Sequence, residues 1–253
     1  MEQTSRQFHA RSELYSALEL IEKEKTLLQT EIDGFKAFLE QLKQIPLHTN
    51  QAPAESLNCT PYLQPSSSSS NSAKEEILTA YRETVLSIDH WTEEYGNETP
   101  IESMKEEFGP EIATSLTTGP TVGLSILQSQ LAQACKETIA NRQNTHGIIS
   151  RERSQLKELE QAVSSIYCTL DSIEQGEFTF TERRNQIERS RDNLEQLAHD
   201  HQDYLRQRTM PNKPIFKKYI YTALETEYPG LNAIAKTRRA IGRIEYCHWA
   251  DLL

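Results

Sequence analysis

The sequence predicts an all-α protein with long coiled-coil helices, an antiparallel helical hairpin and a small helical bundle. Apolar residues recur three and four positions apart over long tracts, which is the spacing of one helical face. No segment shows the strict alternation typical of a β-strand, and glycine occurs only 9 times in 253 residues. A hydrophobic content of 36% suits long exposed helices better than a compact globule.

Residues 1–45 carry the clearest heptad repeat. Their apolar side chains are spaced four and three apart, with Lys25 filling the one gap. The residues of this stripe are Leu14, Leu18, Ile21, Leu28, Ile32, Phe35, Leu39 and Leu42. A repeat held this long predicts a helix wound around another helix, and Pro46 ends it. The sequence leaves open whether that partner helix belongs to the same chain or to a second copy.

Residues 46–72 are predicted to form a disordered linker. The segment contains four prolines and a run of serines over 66–70, a composition that does not support a packed core. The pattern Ser72-Ala-Lys-Glu75 then resembles a capping box, in which a serine and a glutamate satisfy the free amides at a helix start.

Residues 73–120 are predicted to form short acidic helices. Between Lys74 and Ala113 there are 11 acids and three basic residues. One helix is expected to end at Gly96, and a second capping box at 99–102 starts another. Because this segment lacks the heptad pattern, it is the candidate interaction surface of the chain. The aromatic residues proposed for that surface are Tyr81, Trp91, Tyr95 and Phe108.

Residues 121–208 are predicted to form a long antiparallel helical hairpin. The repeat weakens in a polar stretch that ends at Gly147, where either a hinge or a continuous helix is compatible with the sequence. A glycine inside a helix costs about 1 kcal/mol relative to alanine. Gly176 breaks the tract, and a third capping box at 179–182 starts the returning helix.

Residues 209–253 are predicted to form a C-terminal helix pair. A first helix would run from Phe216 to Leu224, and Tyr228-Pro229-Gly230 would turn the chain into the last helix. Three cations share one face of that helix and form the candidate polyanion contact, namely Lys236, Arg239 and Arg243. A solvated face, or pairing with acids of the same chain, is the simpler interpretation. The net charge of −10 also opposes general affinity for nucleic acid.

The sequence predicts no catalytic residue, no metal and no cofactor. Glu245-x-x-His248 has the spacing used in di-iron bundles, but that site needs the motif twice and it occurs once. His90 with Glu94, and Glu195 with His199, lie four residues apart and are more simply read as surface pairs. No glycine-rich phosphate loop and no nucleophile elbow is present.

Localisation is predicted to be cytoplasmic. No apolar run approaches the length of about 18 residues that a membrane span needs, and no signal peptide is visible. The four cysteines are scattered without a Cys-x-x-Cys pair, which is typical of reduced thiols that serve as small apolar residues.

Three stretches together resemble a haloarchaeal family of uncharacterised helical proteins with no assigned function. The first stretch contains Ala17-Leu18, Glu24, Glu31, Phe35 and Phe38. The second stretch contains Tyr81-Arg-Glu-Thr-Val85, Glu94-Tyr95-Gly96, Glu102-Ser103 and Glu107-Phe108-Gly109-Pro110-Glu111. The third stretch contains Tyr219-Ile-Tyr221, Tyr228-Pro229 and Leu231. The resemblance implies a salt-rich cytoplasm, in which an acidic surface aids solubility. It supplies no catalytic residues.

The function predicted from these patterns is that of a non-enzymatic coiled-coil interaction or scaffolding protein. Its heptad helices would associate with a protein partner or with a second copy, without contact to a membrane. The alternative is a regulatory DNA-binding protein that uses the basic C-terminal helices. A third hypothesis, an enzyme or metalloprotein built on the central bundle, has no motif to support it.

Overall fold

The computed structural model describes residues 2–46, 68–96, 98–118, 123–208, 216 and 219–250. Within these residues the protein is all-α and contains no β-strand, which confirms the predicted all-α class. The α-helices are α1 (Glu2–Gln44), α2 (Ser68–Thr84), α3 (Trp91–Tyr95), α4 (Pro100–Phe108), α5 (Pro110–Thr117), α6 (Leu124–Glu174), α7 (Phe180–Arg208) and α8 (Pro229–Trp249). A short 3-10 helix spans Ile220–Ala223.

The chain divides into two compact units. Unit 1 comprises Met1–Lys25 and Ile148–Leu253, and unit 2 comprises Thr26–Gly147. One boundary lies within α1 at Lys25, the gap in the heptad stripe, and the other lies within α6 at Gly147. Of the two alternatives for Gly147, the structure has the continuous helix, since α6 passes through it without a break.

In unit 2, the second half of α1 packs antiparallel against the first half of α6. The side chain of Gln128 on α6 donates to the carbonyl of Ile45 over 3.3 Å. The thiol of Cys135, two turns further along α6, lies 3.4 Å from the carbonyl of Phe35. The apolar stripe of α1 is therefore covered by helices of its own chain here. Its buried members in unit 2 are Leu28, Ile32, Phe35, Leu39 and Leu42, and Phe38 beside the stripe is buried as well.

The segment after residue 67 differs from the prediction in two ways. The helix α2 begins at Ser68, so residues 68–72 of the predicted linker are helical, while residues 47–67 lie outside the described residues. Ser72 therefore lies inside the helix, where its hydroxyl donates to Glu76 instead of capping. The single helix expected up to Gly96 is also wrong, because α2 ends at Thr84 and turns precede α3.

Close contact between α1 and the end of α2 accompanies this break. A Cβ atom on Gly34 would lie 2.7 Å from Cδ1 of Ile88 and 3.0 Å from the carbonyl oxygen of Thr84. The turns then direct the Trp91 ring into the core, with its centroid 6.0 Å from that of Phe35 in an edge-on arrangement. Burial of these side chains outweighs continuation of the helix.

Two of the predicted capping boxes are confirmed. The backbone amide of Thr99 donates to Glu102 over 2.8 Å, and the amide of Glu102 donates back to the Thr99 hydroxyl over 3.3 Å. The same reciprocal pair joins Thr179 and Glu182 at the start of α7. Each satisfies amides that a helix start leaves without partners.

In unit 1, α7 returns alongside the second half of α6, and α8 packs antiparallel to α7. The stripe predicted on this half of α6 is buried, from Ile149 through Leu156 and Val163 to Ile173. Of the helix predicted over 216–224, the structure describes Phe216, which is helical, and residues 219–224, of which Ile220–Ala223 form a short 3-10 helix. Pro229 and Gly230 form the first turn of α8, since proline is well tolerated where helix amides have no partner.

Candidate functional site

The four aromatic residues proposed as an interaction surface lie in unit 2, mostly in its core. Tyr81 and Trp91 are buried, and Phe108 is half-buried with its ring stacked on that of Phe38. Only Tyr95 is exposed, at 42% of its surface. Most of these aromatic side chains therefore belong to a core and not to a surface. The sequence does not show this difference, because it does not reveal which helix covers which side chain.

A buried carboxylate, Glu31, organises the polar interior of unit 2. Its side chain, on α1, accepts hydrogen bonds from Arg142 over 2.7 Å and from Tyr95 over 3.1 Å. The Nε2 atom of His90 lies 3.3 Å from the same carboxylate. Burial, followed by the charge of Glu31, raises the pKa of the Tyr95 hydroxyl, so this hydroxyl stays a donor.

Arg142 connects Glu31 to a second carboxylate. Its two terminal nitrogens donate to Glu107 on α4 over 2.9 and 2.6 Å, in the bidentate geometry that strengthens such pairs. The guanidinium also lies 4.6 Å from the ring centre of Phe35. Burial alone would lower the pKa of Arg142, but the bonds to Glu107 and Glu31 outweigh it and raise the pKa. The cluster thus ties α1, α3, α4 and α6 together.

Unit 1 contains a comparable cluster around Glu152 on α6. This carboxylate is buried and accepts hydrogen bonds from the hydroxyls of Tyr204 over 2.6 Å and Tyr221 over 2.8 Å. Arg208 forms an ion pair with it. Burial, followed by the charge of Glu152, raises the pKa of both tyrosine hydroxyls. These bonds fasten the 3-10 helix to the α6–α7 pair.

Sequence reasoning did not identify either cluster as a site. One signal was present, since Glu152 occupies a position of the apolar stripe on α6, where an unpaired charge would be costly. A charged residue at such a position implies a buried cation or several donors in the fold. Its partners follow 52 to 69 residues later in the chain, so spacing alone does not reveal them.

The cations proposed for polyanion contact are largely paired with acids of unit 1. The amine of Lys236 lies 2.7 Å from Glu13, and Arg243 pairs with Glu174. Arg239 is exposed on α8. Since carboxylates already neutralise two of the three charges, this face offers little free positive charge to a phosphate backbone. Binding of nucleic acid stays a prediction without support from the geometry.

The residue pairs considered as metal ligands are engaged in other contacts. Glu245 pairs with Arg191, and Glu195 pairs with Arg238. His248 is buried with its ring 4.2 Å from that of Phe180, and neither ring nitrogen has a hydrogen-bond partner within the described ranges. No cluster of three or more potential metal-binding side chains occurs in that part of the chain.

The helix α8 carries an exposed face that sequence reasoning did not single out. Leu231, Ala235, Arg238, Gly242 and Glu245 line a groove between α7 and α8, with Leu194 and Ala198 on the α7 side. Near the C-terminal end of α8, Tyr246 is 71% exposed and Trp249 is 59% exposed. Phe180, at the start of α7, is also exposed and contacts the Trp249 ring. Large apolar rings exposed side by side are typical of interaction surfaces.

The fold and these clusters define a class of protein: an all-α chain of two helical units, each braced internally by a buried carboxylate. The chain matches the family described as a domain of unknown function, DUF7260, over residues 12–245, and it belongs to that family. No curated protein and no solved structure matches it. Among the described helices, none combines the length and apolar character that crossing a membrane requires.

Proposed function

We propose that this protein is a non-enzymatic helical interaction or scaffolding protein. The observation that carries the proposal is the exposed face of α8, where Tyr246 and Trp249 lie beside a groove with an apolar floor. Exposed aromatic rings lose unfavourable contact with water when a partner covers them. Residues of this type, clustered on one face, commonly dominate the binding energy of protein interfaces.

The heptad stripes of α1 and α6 are buried by helices of the same chain, which supports a structural role for these two helices. We propose that α1 and α6 pair as an antiparallel coiled coil within each unit and act as the frame of that unit. The buried clusters around Glu31 and Glu152 support this role, because several charge-assisted hydrogen bonds hold the packed helices in one arrangement. The frame leaves the α8 face available for a partner.

We further infer that the protein works in the cytoplasm of a haloarchaeon. The resemblance of three stretches to a haloarchaeal family and the net charge of −10 support this setting. Cys135, Cys168 and Cys247 are free thiols, as is usual where disulfides are kept reduced.

Photo-crosslinking in cells that make the protein tests the proposed function. A photoreactive phenylalanine analogue would replace Tyr246 in the full chain, and mass spectrometry would identify every adduct. The matched control carries the analogue at Tyr219, which is 73% exposed and lies outside α8, on the 219–223 segment that precedes it in the chain. We expect a defined protein adduct from position 246 and none from position 219.

The photo-crosslinking experiment has two outcomes, one that supports the proposed function and one that contradicts it. An adduct with a protein, whether the same chain or another, supports an interaction role for α8. If position 246 forms no protein adduct while the labelled chain is folded and abundant, the α8 face is not an interaction surface and the proposed function fails.

A further inference from the structure

The exposed face of α8 has an ordered arrangement of small and large side chains, which apolar character alone does not explain. With 3.6 residues per turn, Ala235, Gly242 and Trp249 lie one above another at intervals of two turns. Two small residues are thus followed by a large ring on the same line. Ala235 and Gly242 are exposed, so neither is small because its own chain packs against it.

Gly147 of α6 and Gly242 of α8 are both helical glycines that no contact in the described part of the chain requires, and Gly242 is the one that lies in line with a large exposed ring. A Cβ atom built there would meet nothing within 4 Å, and its backbone is ordinary helix, with no positive φ. Glycine in a helix interior is destabilising relative to alanine. A residue that weakens α8 without relieving a contact inside the chain is explained if a second helix approaches closely at this point.

We infer that the partner at this face is a second copy of the chain, joined through a two-fold axis that passes beside Gly242. This inference rests on the proposed function and names its partner. A two-fold axis pairs each residue with one equally far from the axis on the other copy. Trp249, seven residues after Gly242, then faces Ala235 of the second copy, seven residues before it, and the reverse contact forms as well.

The charges on the face are complementary under the same axis. Arg238 and Glu245 lie on one flank of α8, on opposite sides of Gly242 along the helix, so each faces the other residue of the second copy. On the other flank, Arg239 faces Tyr246 of the second copy, an arrangement suited to a cation–π contact. One rotation thus pairs unlike charges and inserts each large ring over a small residue.

The charge pairing across the axis requires no loss of stable ion pairs inside the chain. Within one copy, Arg238 lies 3.1 Å from Glu195 with both side chains mostly exposed, and Glu245 pairs with Arg191. Exposed pairs of this kind contribute little to stability, and a carboxylate accepts bonds from two cations. The rim of the groove therefore carries two cations and two acids, a balance that suits a second copy better than a strongly charged partner.

Sedimentation velocity of the full chain over a concentration series tests the inference. We expect the wild type to self-associate and Gly242→Ala to associate at least tenfold more weakly, because two added methyl groups separate the helices at the axis. The matched control is Gly147→Ala in α6, where a Cβ atom also meets nothing within 4 Å. It should associate like the wild type.

Thermal unfolding of the dissociated chains excludes a folding defect as the cause. Both alanine variants should unfold at a higher temperature than the wild type, because alanine favours the helix over glycine. The Gly242→Ala variant would then be more stable as a monomer and weaker as a dimer. If Gly242 acted only within a single chain, the alanine substitution could not stabilise the monomer and weaken the dimer at the same time.

A charge exchange provides the second test. Arg238→Glu should weaken association, and adding Glu245→Arg should restore it, because unlike charges again face each other across the axis. The double variant places like charges against both Glu195 and Arg191 within one copy. If the charges acted only inside the chain, the double variant would associate more weakly than the single one.

Three results would overturn the inference. They are a wild type that stays monomeric at every concentration, a Gly242→Ala variant that associates as tightly as the wild type, and a charge exchange that does not restore association. If the photo-crosslink at position 246 identifies a different protein instead, the second copy is excluded while the proposed interaction function stands.

Discussion

The hydroxyl of Tyr221 donates a 2.8 Å hydrogen bond to the buried carboxylate of Glu152, which lies 69 residues earlier in the chain. This single contact attaches the 3-10 helix to the long helix α6. It also helps to satisfy a charge that burial would otherwise destabilise. Because the bond connects distant segments, its removal should be felt by unit 1 as a whole.

Tyr221→Phe should destabilise the protein. The substitution removes one donor from a buried carboxylate and leaves the ring in place, so we expect a loss of about 1–3 kcal/mol in the free energy of unfolding. Urea denaturation followed by circular dichroism measures it. Tyr219→Phe, two residues away on an exposed ring, should change the free energy by less than about 0.5 kcal/mol. Equal effects of the two substitutions would contradict the role of the hydroxyl.

Arg142→Met should have a larger effect. Removal of the guanidinium leaves the buried Glu31 and the half-buried Glu107 without their shared cation, and loss of one partner from such a cluster costs about 3–5 kcal/mol. Arg142→Lys should restore only part of the stability, since an ammonium cannot donate to both carboxylates with the same bidentate geometry. Chemical denaturation compares the three chains.

The control for Arg142 is Lys43→Ala, which removes an exposed ion pair with Glu40 on the same unit. We expect a change of less than about 1 kcal/mol, as for surface pairs in general. If Arg142→Met proves as mild as this control, the cluster does not hold unit 2 together.

Gly34→Ala should destabilise unit 2 by steric conflict. The new methyl group would lie 2.7 Å from Cδ1 of Ile88 and 3.0 Å from the Thr84 carbonyl, and overpacking of this kind costs about 1–3 kcal/mol. Ile88→Val removes the nearer atom, so the double variant should lose less stability than the sum of the two single changes. A purely additive double-mutant cycle from thermal unfolding would exclude this explanation.

His201 should make unit 1 less stable in mild acid. Burial lowers the pKa of its imidazole from the ordinary value of 6.5, so the folded state favours the neutral ring. The unfolded chain then binds more protons below pH 6.5, and its stability relative to the folded state rises. We therefore expect the free energy of unfolding to be greatest above pH 6.5 and to fall as the pH decreases through the lowered pKa.

His201→Gln should reduce that decline, whereas His199→Gln should leave it intact, because His199 is exposed on the same helix. Denaturant melts at pH 7.5, 6.5 and 5.5 provide the comparison. A decline of the same size in all three chains would assign the pH dependence to other groups.

Local sequence patterns specify the helices and several of their ends. Heptad spacing marked α1 and α6, and the threonine–glutamate pairs at 99–102 and 179–182 marked two helix starts, since both signals act within a few residues. The sequence also singled out Lys25 and Gly147, the positions at which the two units divide. These features depend on local periodicity and local hydrogen bonding.

Which surfaces meet depends on contacts between segments that are far apart in the chain. The stripe of α1 finds its partner in α6, about 100 residues away, and the break after Thr84 reflects the contact of Ile88 with Gly34. Other contacts between distant segments bury Trp91 and bring hydrogen-bond donors to Glu31 and Glu152. No such contact buries Gly242 and Trp249 in the described part of the chain, so these two residues stay exposed. Periodicity specifies that a face needs covering, but the covering residue is chosen by packing among segments far apart in the chain.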